Sequence, residues 1–458
     1  MPLIYYMKIF EVLLGYRLQD QSEIPNLKRS KSILFGIVMC FIGINHAFSQ
    51  NNTTNITTKD TLKLTLPQAE LIFIKKNLQL LNQKYNIDVA HANVIQAKIW
   101  DNPSISIQQN IYNPDDKRYF ETAPIGETAG GIDQLFVIAG KRNKRVQIAK
   151  INEKISEYQY FDLIRTLKYS LVTTFTDLYF EKQSLSIYDI EINSLNKIIT
   201  VYTDQQKKGN ISFKDLIRIK AQMFSLENEK LGLTYQIKSN EHDLNVLLLN
   251  SDSSKIVPVL DTKSISDLSL NVNFSQLRDS LLRNRYDLKA ADATVNMNTL
   301  NIELQKKIAI PDLDIGFNYD QRGSFIVGYQ ALSLGFTLPA WDQNQQQIKI
   351  AKYQTEQARL TYQQSLNQAY NDMLTAYEQA IESENLFKKF DTSLPSDLKN
   401  LNKSVTENFE KKNISLLEFL DYYDAYKQNI VQVNQLEDSR LKALENLNFV
   451  AGSSIFKL

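Results

Sequence analysis

The side chains that most often carry chemistry are few in this sequence. Its three histidines, His46, His91 and His242, lie far apart, and its single cysteine is Cys40. Metal centres and nucleophilic catalysis need several such groups at defined spacings, and an isolated histidine is more often a surface residue. The sequence also has no phosphate-binding loop and no nucleophile motif. We therefore expect no enzymatic activity, no cofactor and no metal site.

Charged residues recur instead in two similar ten-residue segments. KKGNISFKDL runs from Lys207 to Leu216, and KKNISLLEFL runs from Lys411 to Leu420. Three further pairs match in the same order: Lys76–Leu81 with Arg283–Leu288, Asn102–Tyr112 with Ile310–Tyr319, and Val146–Lys150 with Ile348–Lys352. Because the separation stays near roughly 200 residues throughout, the sequence predicts two copies of one unit. We place the copies at 50–250 and 272–452, with a linker at 251–271 and a tail at 453–458.

Each copy begins and ends with helices, and these helices must position its ten-residue segment. Amphipathic runs predict a first helix at Pro67–Trp100 and at Phe274–Ala309, with Thr65 and Asn273 as caps. A very long helix is expected from Lys141 to Lys208, where neither Pro nor Gly occurs. In each copy a further helix, from Phe213 to Leu249 or from Leu416 to Asn448, returns along the long helix of that copy. Each ten-residue segment is therefore the tip of a helical hairpin. Gly209 suits the left-handed turn there, and in the second copy either Lys412 or Asn413 must adopt it. Pro395 is expected to interrupt the second long helix, whereas its counterpart Ile192 is not.

Two strands are expected between the first helix and the long helix of each copy. Pro311–Asp320 alternates apolar and polar residues, and its partner is predicted at about Phe325–Leu338. In the first copy the strands are Asn102–Tyr112 and, with a weaker pattern, Gly131–Ile138. Four strands cannot close a barrel in a membrane. The sequence therefore leaves two alternatives, a small soluble sheet that caps a coiled coil or a barrel shared by several chains, and the all-polar strand face favours the barrel.

The N-terminal 49 residues indicate export. A basic stretch at Lys28–Lys31 precedes the apolar run Ile33–Ile44, which is too short to span a bilayer, and Ala47-Phe48-Ser49 resembles a cleavage site. The alternatives are a buried apolar helix or lipidation of Cys40, against which the preceding Met39 argues. The formal net charge of +1 argues against nucleic-acid binding.

Local motifs resemble those of the TolC family of outer-membrane efflux proteins, in particular the outer-membrane components of heavy-metal and drug pumps of the RND type. Ala139-Gly140-Lys141-Arg142 resembles the family motif at the first strand-to-helix exit. Pro339-Ala340-Trp341-Asp342-Gln343-Asn344 resembles the second exit, and Asn284–Leu288 resembles an N-R-P-D-L motif with Tyr286 in place of Pro. The likeness covers nearly all of 60–452.

The resemblance implies an α+β membrane protein that acts as a homotrimer. Three chains of four strands would form a twelve-stranded outer-membrane β-barrel, continued by a periplasmic α-helical coiled-coil barrel. The implied partners are a periplasmic adaptor protein, an inner-membrane RND or ABC transporter and outer-membrane lipid.

The resemblance also implies roles for particular residues. The adaptor-contacting tips are Lys208, Gly209, Asn210, Lys412 and Asn413. The periplasmic gate is Glu418, Asp421, Asp215 and Phe409. The strand-to-helix exits are Gly140, Lys141, Arg142, Pro339, Asp342 and Asn344. The alternatives are that the gate acids are ordinary solvated helix residues and that Phe409 packs between hairpins.

Three functions remain open from the sequence. The first is a passive exit duct of a tripartite efflux system for small toxic compounds or metal ions. The second is the same duct serving type I protein secretion. The third is a soluble periplasmic coiled-coil adaptor, against which the two hairpins and the scarcity of glycine argue.

Overall fold

The structure is a computed structural model that describes residues 61–122, 126–250, 255–261, 270, 272–323, 325–391 and 393–457. The predicted signal peptide, Cys40, His46 and most of the linker lie outside the described residues. The chain divides into Met1–Lys59 and Asp60–Leu458, and the description below concerns the second unit.

The first helix of each half is divided into two by one non-helical residue. β1 (Thr61–Thr65) leads into α1 (Leu66–Lys76) and α2 (Leu78–Gln96). Asn77 stands between the helices in an extended conformation, and its side-chain oxygen accepts hydrogen bonds from the N–H groups of Gln79 and Leu80. The prediction of one continuous helix is wrong here, because Asn77 acts as a new N-cap.

The second half has the same break. Asn273 caps α5 (Phe274–Asn284) as predicted, and the extended Arg285 separates that helix from α6 (Tyr286–Ile308).

Four strands form one antiparallel sheet in the order β2-β5-β7-β8. These are β2 (Ser104–Gln109), β5 (Thr128–Phe136), β7 (Leu313–Asp320) and β8 (Tyr329–Gly335). The pairing of β5 with β7 joins the two halves of the chain, with Ile132 opposite Phe317. β8 is shorter than the predicted Phe325–Leu338. A small ribbon of β3 (Tyr112–Asn113) and β4 (Arg118–Tyr119), which the sequence did not predict, lies between β2 and β5.

Long helices fill the rest of each half. The 67-residue α3 (Lys141–Lys207) is unbroken through Ile192, and α4 (Phe213–Leu248) returns along it. In the second half α7 (Gln345–Lys389) ends where Phe390 becomes extended, and α8 (Leu394–Glu410) begins with Pro395 in its first turn. The predicted interruption is therefore confirmed. α9 (Leu416–Ala451) completes the second hairpin.

Three apolar cores hold these elements together. The first lies among α1, α2, α3 and α4, where β1 also pairs in parallel with β6 (Lys255–Val259). The second joins α5, α7 and α9, and includes Leu277, Met373 and Leu447. The third lies near the hairpin tips and brings α3 and α4 against α8 and α9. In the part of the chain that the structure describes, no helix combines the length and the hydrophobicity needed to cross a membrane.

Candidate functional site

The first strand-to-helix exit is fixed to the end of α6. Ala139 and Gly140 have positive φ angles of 58° and 72°, which turn the chain from β5 into α3. Lys141, only 3% exposed, donates from Nζ to the carbonyl oxygen of Ile310 at 2.5 Å and to Asp312 Oδ1 at 2.8 Å. A buried ammonium needs such partners, so Lys141 joins the sheet to two helices.

Arg142 contacts the other neighbouring helix at the same exit. It donates to the carbonyl oxygen of Lys98 at 3.0 Å, and its guanidinium lies 4.0 Å from the centroid of the Trp100 ring. The two basic residues of the motif therefore bind the ends of two different helices.

The second exit also contacts α6. Asn344 has a positive φ of 58° and begins α7, and its backbone N–H donates to Asp342 Oδ1. Its side chain donates to the backbone and side-chain oxygens of Gln305, at 2.8 and 2.9 Å. Pro339 lies in the non-helical segment before it, where Trp341 is 93% exposed. The exit residues thus fix where the helices leave the sheet.

The two hairpin tips have the same backbone geometry. Gly209 and Lys412 occupy equivalent positions with φ angles of 77° and 62°. Asn210 and Asn413 follow them, and each backbone N–H donates across the turn at 2.9 Å, to the carbonyl oxygens of Gln205 and Asn408 respectively. This is the hydrogen-bond pattern that commonly ends a helix. Lys412, rather than Asn413, therefore adopts the left-handed conformation, although Asn tolerates it better.

The candidate gate acids Asp215 and Glu418 take part in helix caps. The side chain of Ser212 accepts from the Asp215 N–H at 3.1 Å and donates to Asp215 Oδ2 at 2.7 Å. The backbone N–H of Ser415 donates to Glu418 Oε2 at 2.8 Å, which holds the pKa of that carboxyl below its usual range. Both acids stabilise the first turn of a return helix.

Asp421 is exposed one turn beyond Glu418 on α9, and so lies on the same side of that helix. Phe409 is different, because it is only 8% exposed and its ring lies 4.3 Å from that of Phe419. The ring of Tyr202 on α3 also stacks with Phe409, and the two ring centroids are 5.9 Å apart. The structure therefore places Phe409 in the core between hairpins, whereas the two acids are exposed.

Neither of the histidines that the structure describes, His91 and His242, belongs to a metal-binding cluster. His91 contacts Glu153 through Nδ1 at 2.6 Å on an exposed surface. Among the described residues, no group of three or more His, Cys, Asp or Glu side chains is arranged to hold a metal ion.

Sequence reasoning missed a layer of buried charge between α3, α4 and α9. Glu191 of α3 is fully buried, and Lys427 of α9 donates to Glu229 of α4 at 2.9 Å and pairs with Asp424 at 2.9 Å. The available signal was the position of Glu191 between Tyr188 and Leu195, on the apolar side of a heptad pattern.

Comparisons with known proteins agree with this architecture. The crystal structure of the Campylobacter jejuni CmeC outer membrane channel matches with a TM-score of 0.67 at 16% identity, over 84% of this chain and 85% of that one. The open-state structure of the Neisseria gonorrhoeae MtrE outer membrane channel matches with a TM-score of 0.67 at 13% identity, over 85% and 89%.

One sequence relative has a name that also refers to export. "Toxin and drug export protein A" of Aggregatibacter actinomycetemcomitans is 23% identical over 314 residues, which is 66% of this chain. The match spans 66% of the relative's own length, just under two thirds. No protein-family profile matches the chain.

The structures that this chain resembles are channel proteins and not enzymes, in agreement with the sequence-based expectation. The predicted resemblance to the TolC family of outer-membrane efflux proteins is confirmed at the level of the fold, which this chain shares with these outer-membrane channels.

Proposed function

We propose that this chain is the outer-membrane exit duct of a tripartite efflux system and works as a homotrimer. The observation that carries the proposal is the four-stranded sheet, whose outer strands β2 and β8 each have one edge without a strand partner among the described residues. Unpaired strand edges are unstable in lipid, and pairing β8 of one copy with β2 of the next removes them. Three copies would give a closed barrel of twelve strands.

The exposed faces of the sheet support a location in the outer membrane. Ile105 and Ile107 on β2 and Leu332 and Leu334 on β8 point to one side and are largely exposed in the single chain. The other side carries small and polar residues such as Ser106, as expected where a lumen contains water. The apolar side suits contact with lipid.

The helical hairpins would then extend the duct into the periplasm. We assign the tips (Lys208, Gly209, Asn210, Lys412 and Asn413) to contact with a periplasmic adaptor protein that connects to an inner-membrane RND or ABC transporter. Their exposure supports this assignment. The similar order of elements in the two halves supports an origin by duplication.

Cysteine cross-linking tests the shared barrel. In a Cys40→Ser background, Ser106→Cys on β2 is combined in turn with Ala331→Cys, Ser333→Cys or Gly335→Cys on β8. All four positions lie on the same face of the sheet. At least one pair should give covalent trimers in outer-membrane fractions, while Ser106→Cys alone should not. Recovery of the chain only as a soluble periplasmic monomer would contradict the proposal.

The cargo has two candidates. The name of the Aggregatibacter relative includes both toxin and drug export, which keeps protein secretion by a type I system beside efflux of small compounds or metal ions. Deletion of the gene should increase sensitivity to toxic compounds if efflux is the function. Loss of one secreted protein with unchanged sensitivity would favour secretion. A soluble adaptor is not favoured, because the likeness to channels covers most of the chain.

A further inference from the structure

Glu191 is a buried carboxylate that the proposed duct does not require. Its exposed fraction is 0%, and neither side-chain oxygen has a hydrogen-bond partner within the protein. Leaving a charged carboxylate unpaired in an apolar interior is costly, and protonation is the usual way to avoid that cost. Glu191 therefore prefers to be neutral as long as its surroundings stay packed.

Glu191 lies where the first hairpin contacts α9. The hydroxyl of Tyr423 on α9 donates to the backbone carbonyl oxygen of Glu191 at 2.7 Å, so the two helices touch at this residue. The positive charge that acts on Glu191 is that of Lys427, which is already paired with Glu229 and Asp424. An ionised Glu191 would thus face two carboxylates and one ammonium group that is already shared.

The groups around Glu191 explain its titration. Burial raises the pKa of Glu191 to about 8, Lys427 opposes that rise, and Asp424 and Glu229 add to it. The titratable and charged groups that face it from the packed helices are Tyr188 of α3, Glu229 of α4, and Tyr423, Asp424, Tyr426 and Lys427 of α9. Burial also raises the pKa of the Tyr423 hydroxyl, so that this donor stays protonated where Glu191 titrates.

We propose that Glu191 is a proton-dependent switch that holds α9 against the first hairpin when protonated and favours their separation when ionised. In the packed state the carboxyl keeps its proton, whereas in a separated, solvated state it would titrate near 4.5, its ordinary value. The packed state therefore binds one more proton between about pH 4.5 and pH 8. Packing is fully stabilised below the lower value and is progressively lost as pH rises to the upper one.

The difference of one bound proton between the packed and separated states sets how strongly pH changes their ratio. One proton difference changes the ratio of separated to packed molecules by up to about tenfold per pH unit in this window. In the proposed duct, separation of α9 from the first hairpin would widen the periplasmic end. That consequence rests on the proposed function, whereas the movement of the helices does not.

Distance measurements between spin labels test the movement directly. In the full chain with Cys40→Ser, labels at Asn193→Cys on α3 and Gln428→Cys on α9 occupy exposed positions that flank the contact. We expect the population at the longer distance to increase from pH 6 to pH 9. Glu191→Gln keeps the shape without the charge and should abolish this shift.

Two further variants separate titration from packing. The matched control is Asp189→Asn. Asp189 lies two residues before Glu191 on the exposed surface of α3, where it pairs with Lys230. This variant should keep the pH-dependent shift of the original chain. Asp424→Asn removes a negative charge that raises the pKa of Glu191 in the packed state. A lower pKa there narrows the pH window, so this variant should show a smaller total shift between pH 6 and pH 9. A shift that persists in Glu191→Gln, or a shift in Asp424→Asn as large as that of the original chain, would overturn the proposal. Conductance of the reconstituted chain over the same pH range then tests the proposed function separately, since the helices can separate whether or not a channel conducts.

Discussion

Single polar side chains determine where the helices of this chain begin and how they are held. Asn77 starts α2, and Ser415 with Glu418 starts α9, each by hydrogen bonds to backbone groups at the first turn. Asn344 before α7 instead binds Gln305 of α6 and so fixes where α7 leaves the sheet. Backbone groups at a helix end have no partner within the helix, so a side chain that binds them fixes the end. Lys141 has a similar effect at the sheet, because it binds the segment that follows α6.

Replacing Lys141 tests this role. Lys141→Met keeps most of the apolar stem but removes the donor to the carbonyl oxygen of Ile310 and to Asp312. We expect the free energy of unfolding to fall by about 1–3 kcal/mol, because two partly buried acceptors lose a charged hydrogen-bond donor. Urea unfolding of the detergent-solubilised chain measures it. Lys150→Met, an exposed position on α3, is the control, and equal effects of both changes would contradict the role of Lys141.

At the scale of elements, the two hairpin tips show one geometry made by different residues. Gly209 and Lys412 share the left-handed turn, and the asparagine after each donates across it. A lysine is strained in this conformation and glycine is not. The second tip is held by its surroundings, since Phe409 at the end of α8 stacks on Phe419 of α9.

Exchanging the turn residues should have opposite effects on the tips. Lys412→Gly removes the strain and should stabilise the second tip by about 0.5–1 kcal/mol, while Gly209→Ala should destabilise the first by a similar amount. No atom lies near the Cβ that Gly209→Ala would add, so its cost is that of the backbone alone. Hydrogen exchange of the amides of Asn210 and Asn413, which close the two turns, reports each tip separately. Faster exchange in Lys412→Gly would show that strain is not the controlling factor.

The sequence predicted the long elements well because their periodicity extends over many residues. The continuous α3, the return helices, the strand β7 and the break at Pro395 all follow from local pattern and backbone restriction. Asn77 was missed, because Asn is compatible with both a helix and a cap, and its bond to the Leu247 carbonyl oxygen spans 170 residues. The heptad position of Glu191 indicated its burial, but the charged groups around it come from α4 and α9, and no local pattern encodes that packing.

At the scale of the whole molecule, a threefold assembly would multiply every exposed feature near its axis. Glu418 and Asp421 lie three residues apart on one side of α9, and three copies would bring six carboxylates together at the periplasmic end. A ring of carboxylates attracts cations and repels anions. In the single chain, however, Glu418 also caps a helix, so replacing it with alanine would change both its charge and its local structure.

A charge-only substitution separates these roles. Glu418→Gln retains an oxygen that can accept from the Ser415 N–H, and Asp421→Asn keeps its shape. In planar bilayers at about 0.1 M salt, where the screening length is about 10 Å, this pair of changes should reduce cation preference and raise conductance in the closed state. At about 1 M salt the difference from the original chain should largely disappear, because the screening length falls to about 3 Å.

The control is Glu227→Gln, which changes an exposed acid on α4 and should alter neither cation preference nor conductance. If selectivity and conductance stay the same at low salt, Glu418 is a capping residue, Asp421 is a solvated surface acid, and the periplasmic end must be closed by other groups.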